Sequence, residues 1–401
     1  MRQKIYHFCL MFLFAAGLLA CNDPVQPSRA YLPTENNEPA ALEKAFRPAG
    51  SRPIINVEVE DGNTFLVPQP KVPTWSGDLW PQAWADDGYV YAANGDGFGF
   101  GWVIADMKVS RLVGAPPDLY GEPIPGAWGR RLGEIWSNEP PHYNRKPTGL
   151  ICVKGVLYLF YQNLKDTRSD DPFTEAPTAS VSWSDDHGST WQWNPGAPLF
   201  ADYQFTTGFF LDDGQCRQYA RDEFVYVYGI DYNWRGTEDF RSTRLYLARV
   251  PEDAIPDRDR WEFYAGRRLN GKPRWTADLA AKRPVLIDNA DYHGYGGVSQ
   301  GSVVFIPALR RYLYATWSWT AWIFWEAPEP WGPWTRVGVK SWGEREWDAA
   351  YHGGYPTIVP SKFLAADGLS GWIVSSINTT FDNYFYRYCM RRIRLEAAGD
   401  E

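Results

Sequence analysis

The chain has 401 residues and a formal net charge of −8, and 16% of its residues are aromatic, alongside 36 Gly and 31 Pro. The acidic charge argues against nucleic acid or an anionic membrane face as a partner, because both would repel it. This abundance of Gly, Pro and aromatic residues favours many short strands joined by tight turns over a helical protein. The length is sufficient for one large all-β domain.

The N-terminus predicts an export signal. Arg2 and Lys4 form a short basic head, and the mostly apolar residues 5–19 are too few for a comfortable membrane span but suit a signal peptide. The residues Leu18-Leu19-Ala20-Cys21 that follow resemble the lipobox of bacterial lipoproteins, which implies cleavage before Cys21 and lipid attachment to it; an ordinary secretory signal is the alternative. Loss of residues 1–20 removes Arg2 and Lys4 and no acid, so the formal charge would change from −8 to −10.

Composition divides the rest of the chain into a tether and a body. Residues 21–53 begin with the cysteine and carry six prolines without apolar periodicity, which predicts a disordered tether. Residues 54–401 are expected to form a single domain. Cys152, Cys216 and Cys389 lie in this body, and an odd number of cysteines allows at most one internal disulfide, whose pairing the spacing does not decide.

One two-strand unit recurs five times in the body, each time as a first strand, a turn and an apolar strand rich in Tyr and Val. The units cover residues 77–93, 147–161, 206–229, 299–317 and 355–376. Each is followed by further predicted strand, beginning near residues 101, 180, 243, 322 and 384. Five units of up to four strands predict an all-β, five-bladed β-propeller, with a six-bladed ring or a β-sandwich as alternatives.

The residues from Ser184 to Trp191 fit the pattern S-x-D-x-G-x-T-W and predict a hairpin corner. Asp and Ser side chains can accept hydrogen bonds from the backbone ahead of them, and Gly188 can take positive φ where the chain reverses. The pattern resembles the Asp box on outer hairpins of sialidase-like and other β-propellers, where it is usually structural. A packing turn is also predicted at Gly332-Pro333-Trp334, and a short helix around Glu252–Ile255.

In a propeller, the starts of the innermost strands and the ends of the second strands converge on a central funnel. This geometry selects Asp78 and Asp96 in the first unit as a candidate pair of catalytic carboxylates. Two carboxylates can hydrolyse a glycosidic bond, since one donates a proton while the other attacks or activates water. Asp231 is a third candidate, and Glu139 is a candidate proton donor in a loop. For each acid the alternative is an ordinary turn cap or surface charge.

The same funnel would bring together candidate substrate-binding side chains with aromatic, imidazole or guanidinium groups. They are Trp80, Arg145, His293, Tyr295, Trp317, His352 and Tyr355. Both histidines precede glycine-rich segments and could bind a sugar hydroxyl or tune a carboxylate. The alternative is a neutral histidine bonded at a blade junction, and for any individual Trp the alternative is packing between sheets.

Several short motifs together resemble the five-bladed propeller glycoside hydrolases, the clan of arabinanases and β-xylosidases. A still closer resemblance is to secreted bacterial domains of unknown function, some of which resemble endo-D-arabinanases. The motifs are Gly77-Asp78-Leu79-Trp80 with Gly95-Asp96-Gly97, then Leu245–Pro251, then Gly332-Pro333-Trp334. The resemblance implies that Asp78 is the catalytic base, while no motif identifies the acid. The first alternative function is a non-catalytic carbohydrate-binding propeller, and the second alternative is a sialidase.

No cofactor is predicted, because the sequence contains no His-Glu-x-x-His, P-loop or zinc-spaced cysteine pair. Asp288, Asn289 and Asp291 could hold calcium, but their spacing does not fit an EF-hand loop and a solvated turn is favoured. The expected partner is a carbohydrate, with no nucleic acid, and the membrane is contacted only through the N-terminal lipid. We expect a monomer in the bacterial cell envelope, periplasmic or at the cell surface.

Overall fold

A computed structural model describes residues 50–60, 65–66, 77–136, 143–165, 175–232, 243–292, 294, 296–318, 320–341, 355–379 and 384–399. These residues belong to the unit formed by Leu32–Glu401. Within them the chain is all-β, with five three-residue 3₁₀ turns as its helical structure. None of the helices in the described part has the length and apolarity needed to cross a bilayer.

The described strands follow one another at short intervals along the chain. They are β1 (Ile54–Val59), β2 (Phe65–Leu66), β3 (Gln82–Trp84), β4 (Val90–Gly97), β5 (Ala105–Val113), β6 (Tyr120–Trp128), β7 (Tyr143–Val153), β8 (Val156–Lys165), β9 (Glu175–Ser184), β10 (Gln192–Trp193), β11 (Thr207–Asp212), β12 (Phe224–Ile230), β13 (Arg244–Pro251), β14 (Glu262–Arg267), β15 (Pro273–Thr276), β16 (Pro284–Ile287), β17 (Ser302–Ile306), β18 (Arg311–Ser318), β19 (Ala321–Ala327), β20 (Thr335–Ser341), β21 (Tyr355–Ile358), β22 (Ser370–Thr379) and β23 (Tyr384–Ala397).

The strands fall into five antiparallel groups. The first two are β3–β6 and β7–β10, and the next two are β11–β15 with β16 and β17–β20. The last group has the order β1-β23-β22-β21, so the first strand of the body closes the final sheet. The predicted two-strand units correspond to the pairs β3/β4, β7/β8, β11/β12, β17/β18 and β21/β22.

Tight turns set the register within each group. Val153 pairs with Val156 across a two-residue turn, in which Lys154 and Gly155 have φ of 50° and 82°. Positive φ at both central positions matches the right-handed twist of the flanking strands. The Lys-Gly pair in the sequence therefore fixes the β7–β8 hairpin.

The Ser184–Trp191 stretch forms the predicted corner between β9 and β10. Asp186 Oδ1 accepts hydrogen bonds from the Thr190 amide and the Ser184 hydroxyl, each at 2.8 Å. Gly188 adopts φ of 87°, and its carbonyl accepts the Trp191 indole N–H at 3.0 Å. Burial alone would raise the pKa of Asp186, but the hydrogen bonds from Thr190 and Ser184 lower it overall. The carboxylate of Asp186 thus holds this hairpin together.

Neighbouring groups pack face to face through four apolar clusters and one parallel strand pair. The first group shares buried side chains with the second and with the fifth, the second with the third, and the fourth with the fifth. The third and fourth groups meet through parallel pairing of β11 with β17, where the Phe209 and Tyr314 rings stack at 5.9 Å. Each group therefore contacts the next, and the fifth returns to the first.

Three sequence predictions are corrected here. Residues 252–255 form turns rather than a helix, and the 251–284 connection instead holds two short strands, β14 and β15, and two 3₁₀ turns. The third strand of the first group begins at Ala105, while Trp102–Ile104 are exposed loop. Asp288 is buried and accepts hydrogen bonds from the Ala290 amide and the Tyr292 hydroxyl, whereas Asn289 and Asp291 are exposed, so the solvated turn is wrong for Asp288 alone.

The structure also decides the cysteine pairing. Cys152 at the end of β7 and Cys216 in the 3₁₀ turn after β11 form a disulfide, while Cys389 is buried and free. The bridge links the second group to the third.

Candidate active site

Asp78 is held at the start of the first group by its own backbone. Its amide and carbonyl exchange hydrogen bonds with the Gly95 carbonyl and amide, both at 3.0 Å, which places Asp78 directly beside the end of β4. A Cβ at position 95 would lie 2.6 Å from Asp78 Oδ1. Glycine is therefore required at position 95 if the Asp78 carboxyl is to keep this place.

The Asp78 side chain is only 5% exposed and bonds to a residue from the opposite end of the body. The Tyr355 hydroxyl, at the start of β21, donates a hydrogen bond of 2.6 Å to Asp78 Oδ2. Burial, and next the negative charge of Asp96, raise the pKa of Asp78 to about 6, while Lys146 and Tyr355 act in the opposite direction. Asp78 is thus a carboxyl that can carry a proton at mildly acidic pH.

Asp96 approaches the same place from the end of β4, where it adopts φ of 41°. Its carboxylate forms an ion pair with the ammonium of Lys146, a buried residue on β7. About a third of the Asp96 side chain remains exposed, so the pair opens toward solvent on the Asp96 side. Two carboxyls, an ammonium and a phenol thus meet from the first, second and fifth groups.

Two of the predicted sugar-binding indoles are core residues. Trp80 is fully buried and packs edge-on against Tyr388, with ring centroids 5.1 Å apart. Trp317 lies 5.0 Å from the Tyr355 ring and donates its indole N–H to the Gln300 carbonyl at 2.9 Å. Neither indole offers an exposed face to a sugar ring, so the substrate-binding prediction for Trp80 and Trp317 is corrected to a packing role.

Arg145 and Asp231 have other partners in the structure. Arg145 is buried and forms an ion pair with Asp106 at 2.9 Å, so its guanidinium supports β5 against β7. Asp231 Oδ1 accepts the Phe205 amide at 2.7 Å, and its other oxygen lies 3.2 Å from Lys282 Nζ. Asp231 therefore caps a turn in the third group, and no contact between described residues joins it to Asp78.

Five predicted residues lie outside the described part of the chain. They are Cys21, Glu139, His293, Tyr295 and His352.

Sequence reasoning places Lys146 beside Arg145 among the strand starts that face the funnel, but it assigns Lys146 no role in the site. The Arg145-Lys146 pair at the start of an inner strand indicates a position near the funnel. The ion pair of Lys146 with Asp96 depends on β4 and β7 being neighbours in the fold. Sequence spacing alone carries no information on that adjacency.

Within the described ranges, every group of His, Cys, Asp and Glu residues that is close enough to share a metal ion contains Asp86. None of these groups includes Asp78 or Asp96. The ammonium of Lys146 already supplies a positive charge beside Asp96. The candidate active site is therefore a carboxyl pair with an organic cation.

Residues 77–388 match the model of a protein family described as "Domain of unknown function (DUF4185)". Among solved structures, a putative hydrolase from Bacteroides ovatus ATCC 8483 is 12% identical, with a TM-score of 0.49, over 79% of this chain and 86% of that chain. A GH43_1 enzyme from Xanthomonas citri is 14% identical, with a TM-score of 0.48, over 82% and 90%.

The native arabinanase Arb43A of Bacillus subtilis is 12% identical, with a TM-score of 0.42, over 80% of this chain and 95% of that chain. Likenesses of this size identify neither a substrate nor a mechanism. No curated protein matches the chain. Because the family match runs through 77–388 and so spans well over half of the sequence, this chain belongs to the DUF4185 family of domains of unknown function.

Proposed function

We propose that the protein is a glycoside hydrolase in which Asp78 and Asp96 form the reacting carboxyl pair. The observation that carries the proposal is the buried Asp78 carboxyl, whose pKa is raised to about 6 beside a second carboxyl that pairs with Lys146. Adjacent carboxyls in unlike environments are the means by which one group keeps a proton and the other remains charged. Glycoside hydrolysis needs that division of roles.

The roles follow from the two environments. Asp78 is the proton donor, because burial favours its neutral form, and Asp96 is the carboxylate that attacks the sugar or activates water. This differs from the family resemblance, which implies that Asp78 is the base. The choice between attack and water activation depends on the carboxyl separation, about 5 to 5.5 Å for retention and about 6.5 to 9.5 Å for inversion.

We further propose that the five strand groups form a five-bladed β-propeller. Support comes from the closed order of contacts, in which the fifth group returns to the first through Tyr355–Asp78 and through Gln82 and Tyr388, whose side chains bond at 2.9 Å. Gln300 on the fourth group also donates to the Pro147 carbonyl on the second, at 3.2 Å. A contact between non-neighbouring groups is expected where inner strands surround a narrow axis.

Activity is tested by release of reducing sugar from arabinan and xylan. Asp78→Asn and Asp96→Asn should lower kcat by at least about a hundredfold and leave oligosaccharide binding intact, since each loses proton transfer or charge but little volume. Asp185→Asn, an exposed carboxyl in the β9–β10 corner, is the matched control and should keep full activity. Full activity in Asp78→Asn would remove Asp78 from the reaction.

Tyr355→Phe tests whether Asp78 donates a proton in the reaction or is a buried carboxyl with no part in it. The lost hydrogen bond stabilises the carboxylate, so its removal raises the pKa of Asp78. If activity requires protonated Asp78, the alkaline limb of the pH profile should move up by about one unit or less. A downward shift would contradict the assignment of Asp78 as donor.

A non-catalytic carbohydrate-binding propeller is the second candidate, and the 5% exposure of Asp78 favours it. Such a protein would bind arabinan or xylan and release nothing from either, and Asp78→Asn would leave its affinity unchanged. The sialidase reading has less support, because the buried Arg145 and Arg311 are already paired with acids.

For the N-terminal region we propose lipid attachment at Cys21 and residence in the cell envelope. The Cys152–Cys216 disulfide supports an oxidising compartment. Palmitate labelling of the full chain should be lost in Cys21→Ser, and retained labelling would refute the anchor.

A further inference from the structure

A second cluster of ionisable groups lies where two turns of neighbouring groups meet. Asp86 and Asp87 occupy the β3–β4 turn, and His187 sits in the β9–β10 corner 101 residues later. His187 Nε2 is 3.0 Å from Asp86 Oδ1 and 4.0 Å from Asp87 Oδ2. One ligand atom from each of the three residues falls within 4.8 Å of the others.

Two of the three side chains, Asp87 and His187, have contacts that orient them before any ligand arrives. The Tyr91 hydroxyl donates to Asp87 Oδ2 at 2.7 Å, and the Tyr89 amide donates to Asp87 Oδ1 at 3.0 Å. The His187 ring stacks on the Tyr91 ring at 6.2 Å. Fixed second partners of this kind orient metal ligands in proteins.

The cluster has two carboxylates and one imidazole. Nε2 of that ring can donate to only one carboxylate at a time. Lys362 approaches Asp87, but its ammonium donates to the Gly88 carbonyl. A divalent cation would neutralise both carboxylates at once.

The spacing suits a small ion with nitrogen and oxygen ligands. At bond lengths of about 2.0 to 2.1 Å, tetrahedral ligands lie about 3.3 Å apart, between the two observed distances. Each of the three side chains is partly exposed, which leaves a route for the ion and a position for water as the fourth ligand.

We propose that Asp86, Asp87 and His187 bind one zinc-like divalent cation, which fastens the first strand group to the second. The site is independent of Asp78 and of glycosidase activity. The Cys152–Cys216 sulfurs lie within 4.8 Å of Asp86, so the cation would reinforce a corner that already carries the covalent link between the second and third groups.

The test uses purified full-length protein stripped with EDTA and titrated with Zn²⁺ by calorimetry, with Tm measured in parallel. One equivalent should bind and raise Tm, because a ligand that binds only the folded state stabilises it. His187→Asn and Asp86→Asn should each lower the affinity by at least about tenfold. Asn is chosen at position 187 because φ is 55° there and Asn tolerates positive φ.

Asp185→Asn removes an equal charge two residues away and should bind Zn²⁺ as the unmodified protein does. Absence of Zn²⁺ binding would overturn the proposal, as would unchanged affinity in His187→Asn. Binding of Ca²⁺ in preference to Zn²⁺ would also overturn it, because a zinc-like site with an imidazole ligand should not prefer a purely oxygen-seeking ion. These outcomes do not depend on whether sugar release is observed.

Discussion

Substitution of Asp78 by Asn should stabilise the protein relative to the unmodified chain, and this gain in the free energy of unfolding should be larger at neutral pH than at acidic pH. The pKa of Asp78 rises from 3.8 to about 6, first because the carboxyl is buried and next because Asp96 lies nearby. A group whose folded pKa is raised stabilises the fold below its unfolded pKa, and this contribution is lost as pH rises through the folded value. Asn stays neutral and carries no such dependence.

The size of the effect follows from the shift. Two pKa units correspond to about 3 kcal/mol, at about 1.4 kcal/mol per unit. Most of this change in the free energy of unfolding occurs between about pH 4 and pH 7.5. The stability gain of Asp78→Asn should therefore increase by about 2 kcal/mol across that interval and then level off. The Tyr355 hydroxyl can still donate to the Asn side-chain oxygen, so the hydrogen bond itself is conserved.

Urea unfolding of both proteins at a series of pH values measures the difference in free energy of unfolding. Asp185→Asn is the control and should show a flat difference, since this carboxyl is exposed. A difference for Asp78→Asn that is constant with pH, or that decreases as pH rises, would refute the raised pKa and with it the role of proton donor. This measurement requires no substrate.

Three further predictions concern the framework around the site. Asp186→Ala removes the hydrogen bonds to Thr190 and should lower the free energy of unfolding by about 1 to 2 kcal/mol without changing sugar release, measured by urea unfolding and the reducing-sugar assay. Serine at both Cys152 and Cys216 opens a link between residues 64 apart and should cost about 4 kcal/mol, and an unchanged Tm under reducing conditions would contradict the pairing. Glu326→Gln leaves the buried Arg311 guanidinium without its carboxylate and should cost about 3 kcal/mol or more; calorimetry that finds no loss in Tm would show that the pair is dispensable.

Local patterns predicted the strand pairs because hairpins depend on neighbouring residues. The Lys154-Gly155 turn and the Asp186-centred corner are each encoded within a few positions, and Gly188 has the positive φ that the corner pattern predicts. The predicted helix at 252–255 is wrong, because the residues there form turns that connect strands instead of starting a helix. The first strand of the body pairs with the last, a contact that no local pattern predicts.

The sequence by itself determined the all-β class, the five two-strand units and the position of Asp78 and Asp96 at adjacent strand ends. The tertiary structure decided which groups those carboxyls meet, because Lys146 and Tyr355 come from other sheets and reach Asp78 and Asp96 only after the strand groups have packed together. It also placed Trp80 in the core, since burial depends on the whole fold and not on the residue type. Proton affinity at Asp78 is likewise a property of that packing, because desolvation and neighbouring charge arise only when distant segments enclose the carboxyl.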